Sequence, residues 1–203
     1  MAIKKIILGY SFLFLLSFFC FRVFLYLITE STLFYNQISA YFIGAFPLML
    51  FIFLAFKNNP FLLKEEFKDN FFWAIISGVF LGVVFPLFFK SFYSDVYGFF
   101  ENNFIFGLFY WLFIAFSQEV YFRGFLLKEF YKRYPLLSSL IINSFLFAFW
   151  HLTVPFSPLW LTFSGLFRVF ITSFFWGLIY LKTGNLLSPF IAHFLTGLLL
   201  SKF

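Results

Sequence analysis

Charge is scarce in this chain: 11% of its 203 residues are Asp, Glu, Lys or Arg, and only eight are acidic. With so little polar side chain, a soluble domain of this length would expose large apolar patches, which excludes an ordinary water-soluble fold. Cysteine is nearly absent. The single Cys20 rules out an internal disulfide, a CxxC redox motif and a thiolate metal site, and within its apolar run it reads as a small buried residue. Ten-residue apolar/polar alternation is missing, so a β-barrel is excluded as well. There is no repeat and no linker that would divide the chain. The bulky Phe18 and Phe19 before Cys20 exclude a lipoprotein cleavage box, and Ser201-Lys202-Phe203 offers no prenylation cysteine.

What is abundant is hydrocarbon. Hydrophobic residues make up 63% of the chain, and 43 residues are phenylalanine. A bilayer is the natural solvent for this composition, and about 20 apolar residues cross it as a helix. Seven segments approach that length, at 6–28, 37–56, 71–89, 103–131, 136–152, 159–181 and 186–200. Backbone groups in lipid must pair internally, so the segments are helices. The expected fold is all-α, a polytopic bundle of about seven spans forming one transmembrane domain over residues 1–203. The first segment is longer than a signal peptide's apolar stretch, lacks a small-residue cleavage site and reads as a retained helix.

The net charge of +6 raises nucleic acid as a partner, but the basic residues stand in short clusters between apolar runs and read as topology signals. With the N-terminus cytoplasmic, the inner side carries Lys4, Lys5, Lys57, Lys64, Lys68, Arg123, Lys128, Lys132, Arg133 and Lys182, against Lys90 and Lys202 outside. Membrane lipid is an expected partner, and nucleic acid is not. The expected location is the cytoplasmic membrane of a prokaryote.

Ionisable groups within apolar helices are costly and point to function. The fourth segment carries Gln118-Glu119-Val120-Tyr121-Phe122-Arg123-Gly124, the fifth Phe147-Ala148-Phe149-Trp150-His151, and the seventh His193-Phe194-Leu195-Thr196-Gly197. These hold the chain's two histidines. At 1.5 Å per residue, Glu119 lies about 18 Å from the turn after Tyr131, and His151 about 22 Å into the return helix. His193 lies about 10 Å and Gly197 about 16 Å beyond the turn Thr183-Gly184-Asn185. Helix tilt blurs these depths by several ångströms, so the groups can meet near the midplane. Glu119 and Arg123 at i and i+4 suit a helix ion pair. The plainer readings are a structural salt bridge for that pair and two helix-packing histidines.

In this order the segments resemble the CAAX protease and bacteriocin-processing (CPBP, or Abi) family of intramembrane peptidases. The family motif Glu-Glu-x-x-x-Arg corresponds to Gln118, Glu119 and Arg123, Phe-x-x-x-His to Phe147 and His151, and His-x-x-x-Asn to His193 and Gly197. The stretch from Gly177 to Asn185, continuing through Pro189 to His193, is also similar. The resemblance covers about Gly107 to Leu200 and implies a peptidase-like core at about 104–201, preceded by three accessory helices at 6–28, 37–56 and 71–89. It implies peptide-bond hydrolysis within the membrane, with a membrane-associated peptide or protein as the substrate and partner. The first glutamate and the middle histidine would activate water, and the last histidine and the asparagine would hold the oxyanion.

Two positions depart from that pattern. Gln118 is an amide and cannot act as a general base, and Gly197 brings no side-chain donor. Each loss costs about 10²–10⁴ in rate by general-base and oxyanion-donor precedents. Glu119 is then the remaining carboxylate, but neighbouring helical residues point about 100° apart. It reaches the histidines only if its helix rotates or locally unwinds, whereupon Arg123 needs another partner. Thr196 adds a hydroxyl off the face of Gly197. A second route is zinc held by His151, His193 and Glu119, two nitrogens and one oxygen with an open position; no other cofactor is implied. The candidate set is therefore Glu119, His151, His193 and Gln118, supported by Arg123, Phe147, Thr196 and Gly197. The alternatives are an inactive peptide-binding or immunity protein of the same fold, and a small transporter.

Overall fold

A computed structural model describes residues 3–27, 48, 50–51, 70–89, 104–153 and 163–200. Every regular element among them is helical: α1 (Ile3–Leu27), α2 (Phe71–Phe89), α3 (Phe104–Glu119), a π-helical segment (Val120–Leu127), α4 (Lys128–Tyr131), α5 (Leu136–Trp150), a 3₁₀ turn (His151–Thr153), α6 (Phe163–Thr183) and α7 (Leu187–Leu200). Each falls where an apolar segment predicts a helix. Most of the expected helix at 37–56, the loop from Lys57 to Asp69, and the side chains of Cys20 and Arg22 lie outside the described residues.

The turn between α6 and α7 follows from its residues. Gly184 adopts φ 64°, which glycine tolerates without a Cβ penalty, and its N–H donates to the Tyr180 carbonyl. Asn185 then caps the next helix, its Oδ1 accepting the Leu187 N–H at 2.9 Å. The Thr183 carbonyl, left over at the helix end, accepts the Asn70 Nδ2–H at 2.8 Å. That bond ties the start of α2 to this turn. Leu127, Leu140, Tyr180 and Leu186 pack together, so the turn between α4 and α5 lies at the same end of the bundle. The basic Lys132, Arg133 and Lys182 are gathered there.

Two features position the C-terminal helices. α2 lies directly against α7: a Cβ at Gly78 would stand 2.7 Å from the Ser188 carbonyl oxygen, and one at Gly82 would stand 2.7 Å from Leu195 Cβ. Glycines four residues apart let the two backbones touch, as in closely packed membrane helices. On the other flank, Tyr10 of α1 donates to the Leu146 carbonyl at 2.8 Å, and its ring packs edge-on to Phe122 and Trp150.

The polarity of the bundle is inverted relative to a soluble protein. Phe163 is 86% exposed, and Leu8, Phe12, Phe72, Phe80 and Leu87 also face outward, while Glu119 and Arg123 are 0% exposed. This is the arrangement an apolar solvent imposes, since polar groups there must find each other inside. Among the described residues one helix, Phe163–Thr183, is long and apolar enough to cross a membrane, and four apolar helical stretches are shorter.

Candidate active site

The helix bearing Glu119 changes character at that residue. α3 ends at Glu119, and the next eight residues form a π-helix, whose i→i+5 bonding accommodates an extra residue per turn. From α5, Asn143 donates its Nδ2–H to the Phe122 carbonyl within this segment at 2.8 Å, a buried tie. The local unwinding needed for Glu119 to reach a histidine is therefore present.

Glu119 meets His193. The Nδ1–H of His193 donates to Glu119 Oε1 at 2.8 Å, and the carboxylate is fully buried. A carboxylate only accepts, so this bond fixes the proton on Nδ1 and leaves the lone pair on Nε2. The difference in their nominal depths is absorbed by tilt and by the π segment. Arg123 does not need the replacement partner expected of it. Its Nε stands 3.0 Å from Glu119 Oε2, an ion pair without hydrogen-bond alignment, and it adds a new contact as well. One Nη donates to Ser173 Oγ at 2.9 Å and to the Ser173 carbonyl at 3.3 Å. The guanidinium also lies 4.3 Å from the Phe147 ring centroid, a buried cation–π contact.

Phe147 joins the two histidines. Its ring is 4.8 Å from the imidazole of His151 and 5.8 Å from that of His193, centroid to centroid. His151 Nδ1 donates to the Phe147 carbonyl at 2.9 Å, which again leaves the lone pair on Nε2. His151 is half-buried, whereas the His193 residue keeps 5% exposure. Gln118 is 7% exposed, and its buried Oε1, like the buried Thr196 Oγ1, has no hydrogen-bond partner among the described residues.

Gly197 has a neighbour the sequence did not reveal. A Cβ there would collide with the indole ring of Trp111 on α3, so the ring fills the space a larger side chain would need. Two further residues escaped sequence reasoning. Ser173 holds Arg123, and Trp176 stacks on His193 with centroids 4.6 Å apart and planes at 27°. The signal that could have found them is the small and polar stripe Gly165, Thr172, Ser173, Trp176, Gly177, Tyr180 and Thr183, which recurs at helical spacing along α6.

The three residues of the expected zinc set have other contacts. Both Glu119 oxygens are engaged, one by an imidazole N–H and one by a guanidinium, while each histidine donates from Nδ1 and keeps its Nε2 lone pair open. Among the described residues, no group of three or more His, Cys, Asp or Glu side chains is placed to hold a metal ion. Glu119, the third residue of the expected zinc set with His151 and His193, faces a guanidinium in this arrangement.

Residues 100–199 match the family model of the type II CAAX prenyl endopeptidase, Rce1-like proteins. This half of the chain belongs to the Rce1-like family. No curated protein and no solved structure matches the chain. The Rce1-like region contains every element of the site, from α3 through α7. Packed against it, α1 and α2 contribute Tyr10, Gly78 and Gly82. The Rce1-like family is membrane-embedded, in keeping with the exposed apolar exterior.

Proposed function

We propose that this protein is an intramembrane endopeptidase that hydrolyses a peptide bond in a membrane-associated peptide or prenylated protein. The observation that carries the reading is the 2.8 Å bond from His193 to the buried Glu119 carboxylate. A base oriented by a third group through its second nitrogen is the arrangement that acyl-transfer chemistry requires. His193 Nε2 takes a proton from water, and the imidazolium so formed is stabilised by Glu119. The same proton is then delivered to the leaving amine. Arg123 holds the carboxylate, and Ser173 and Phe147 hold Arg123. His151 Nε2 is a second acceptor that orients the water. Gln118 contributes an amide for binding, not a base. Thr196 adds a hydroxyl.

In this reading the chain is a single transmembrane domain of about seven spans over residues 1–203, with the N-terminus cytoplasmic. The core at 104–201 follows accessory helices at 6–28, 37–56 and 71–89. The location is the cytoplasmic membrane of a prokaryote. The gathering of Lys132, Arg133, Lys182 and the start of α2 at one end supports this orientation.

Purified protein in proteoliposomes, offered a hydrophobic reporter peptide, tests the reading. Replacing His193 or His151 with alanine should lower cleavage by about 10²–10⁴, the usual weight of general acid–base catalysis. Wild-type rates in both variants would sink the proposal. A second reading, a peptide-binding or immunity protein without catalysis, is favoured by one observation: Trp111 fills the space beside Gly197. It predicts peptide binding and no cleavage.

A further inference from the structure

Around Glu119 and His193 several buried polar atoms have no hydrogen-bond partner among the described residues: Gln118 Oε1, Arg123 Nη1, Trp176 Nε1 and Thr196 Oγ1. Native interiors hold few such atoms, because a buried polar group without a partner has given up its hydration for nothing. A site that keeps donors and acceptors unpaired together is built to complete its hydrogen bonds with a ligand that has both. A peptide group is such a ligand, with one carbonyl oxygen and one N–H.

The two nitrogen donors are not equivalent. Arg123 is fully buried beneath the site, bound to Glu119 and Ser173 and covered by Phe147. Trp176 lies directly on the imidazole that acts as base. Its ring is nearly parallel to His193, it is 3% exposed, and it sits one turn beyond Ser173 on α6. The stack fixes the indole beside His193, and indole Nε1–H is a donor only. An apolar phenylalanine would fill the same stack without the cost of an unpaired N–H.

We infer that Trp176 Nε1–H donates to the carbonyl oxygen of the peptide bound in this site. The inference rests on the reading of this site as one that takes a peptide. During hydrolysis the water oxygen bonds to the carbonyl carbon while its proton passes to His193 Nε2. The carbonyl π pair moves onto the oxygen held by Trp176. On collapse that pair returns, the C–N bond breaks, and His193 returns its proton to the departing nitrogen. No electron donor or acceptor is needed.

The indole ¹H–¹⁵N signals of the full-length protein in detergent provide the test. Five tryptophans give five signals, and Trp176→Phe assigns the one of interest. The probe is a hydrophobic peptide aldehyde, whose hydrate carries the tetrahedral oxygen. A downfield shift confined to the Trp176 signal supports the inference, and an unmoved signal on saturation overturns it. Kinetics add a second readout: Trp176→Phe should lower kcat by about 10²–10³ with little change in KM, the weight of one oxyanion donor. Incorporating 3-benzothienylalanine at position 176 keeps the shape, removes the N–H and should do the same. If wild-type protein cleaves peptide and both replacements cleave equally well, the inference fails while the peptidase reading stands. If wild-type protein cleaves nothing, the peptidase reading fails, and the indole titration still decides the donor.

Discussion

Glu119→Gln tests the reasoning most severely, because the residue has two duties that come apart. Both Glu119 and Arg123 have fully buried side chains, so the substitution leaves a guanidinium in a dry interior without its counter-charge. Breaking one side of a buried pair costs about 3–5 kcal/mol. Arg123 keeps its bonds to Ser173 at 2.9 and 3.3 Å and its place over Phe147, which puts the loss near the lower end. For a protein of this size that corresponds to a fall in Tm of about 6–12 °C. The amide still accepts the His193 N–H, but it no longer stabilises an imidazolium, so cleavage should fall by about 10²–10⁴. Thermal unfolding in detergent and peptide cleavage in proteoliposomes read the two effects separately. The double variant Glu119→Gln with Arg123→Met removes both charges, and an apolar replacement of a buried pair is often neutral for stability. It should recover most of the lost Tm and none of the activity. A double variant that regains cleavage, or a single variant that melts and cleaves like wild type, would refute the claim that this carboxylate works through His193.

Four further outcomes follow from the packing and the charges. Gly197→Asn alone should lower stability by about 1–3 kcal/mol through overpacking against Trp111, and Trp111→Leu in the same chain should relieve it, read as a non-additive double-mutant cycle. Gly82→Leu should separate α2 from α7 and reduce both Tm and cleavage, whereas Gly9→Ala, where a new Cβ meets nothing within 4 Å, should leave both intact. Incubation with a strong chelator should leave the unfolding temperature unchanged, because the buried Glu119 carboxylate is already held by His193 and Arg123. At the bundle end, the hydrogen bond from Lys132, reinforced by Arg133, holds Glu129 below its ordinary pKa. A depressed carboxylate stabilises the fold above its unfolded pKa and loses that contribution as pH falls through the folded one. Glu129→Gln should therefore cost under about 1 kcal/mol near pH 7, and the difference from wild type should fade below about pH 4.

Much of this architecture is legible in the sequence because lipid imposes a single rule. Long apolar runs must be helices, and the described helices at Ile3–Leu27, Phe71–Phe89, Leu136–Trp150 and Leu187–Leu200 follow those runs closely. Glu119 and His193 stand out for the same reason, being ionisable residues in greasy surroundings. The π-helix does not show in the sequence. Its extra residue per turn is set by contacts such as Asn143 to the Phe122 carbonyl, which come from another helix. Trp111 against Gly197 is hidden likewise, since an aromatic in an apolar helix carries no sign of what it faces. Ser173 and Trp176 were readable in principle from the small-residue stripe on α6. Gly78 and Gly82, four residues apart in an apolar helix, were a packing signal in a segment that otherwise offers only hydrophobicity.

The pairing of Glu119 with Arg123 within one continuous stretch of helix bears on how the protein is made. A lone carboxylate and a lone guanidinium would each resist partitioning as the nascent segment leaves the translocation machinery. Here the opposite charges lie a turn apart on the same segment, so they can neutralise one another before any other helix arrives. His193, 74 residues further along, is synthesised later and docks onto a carboxylate already shielded. Insertion and the arming of the site are thus successive events, and the second waits on α7.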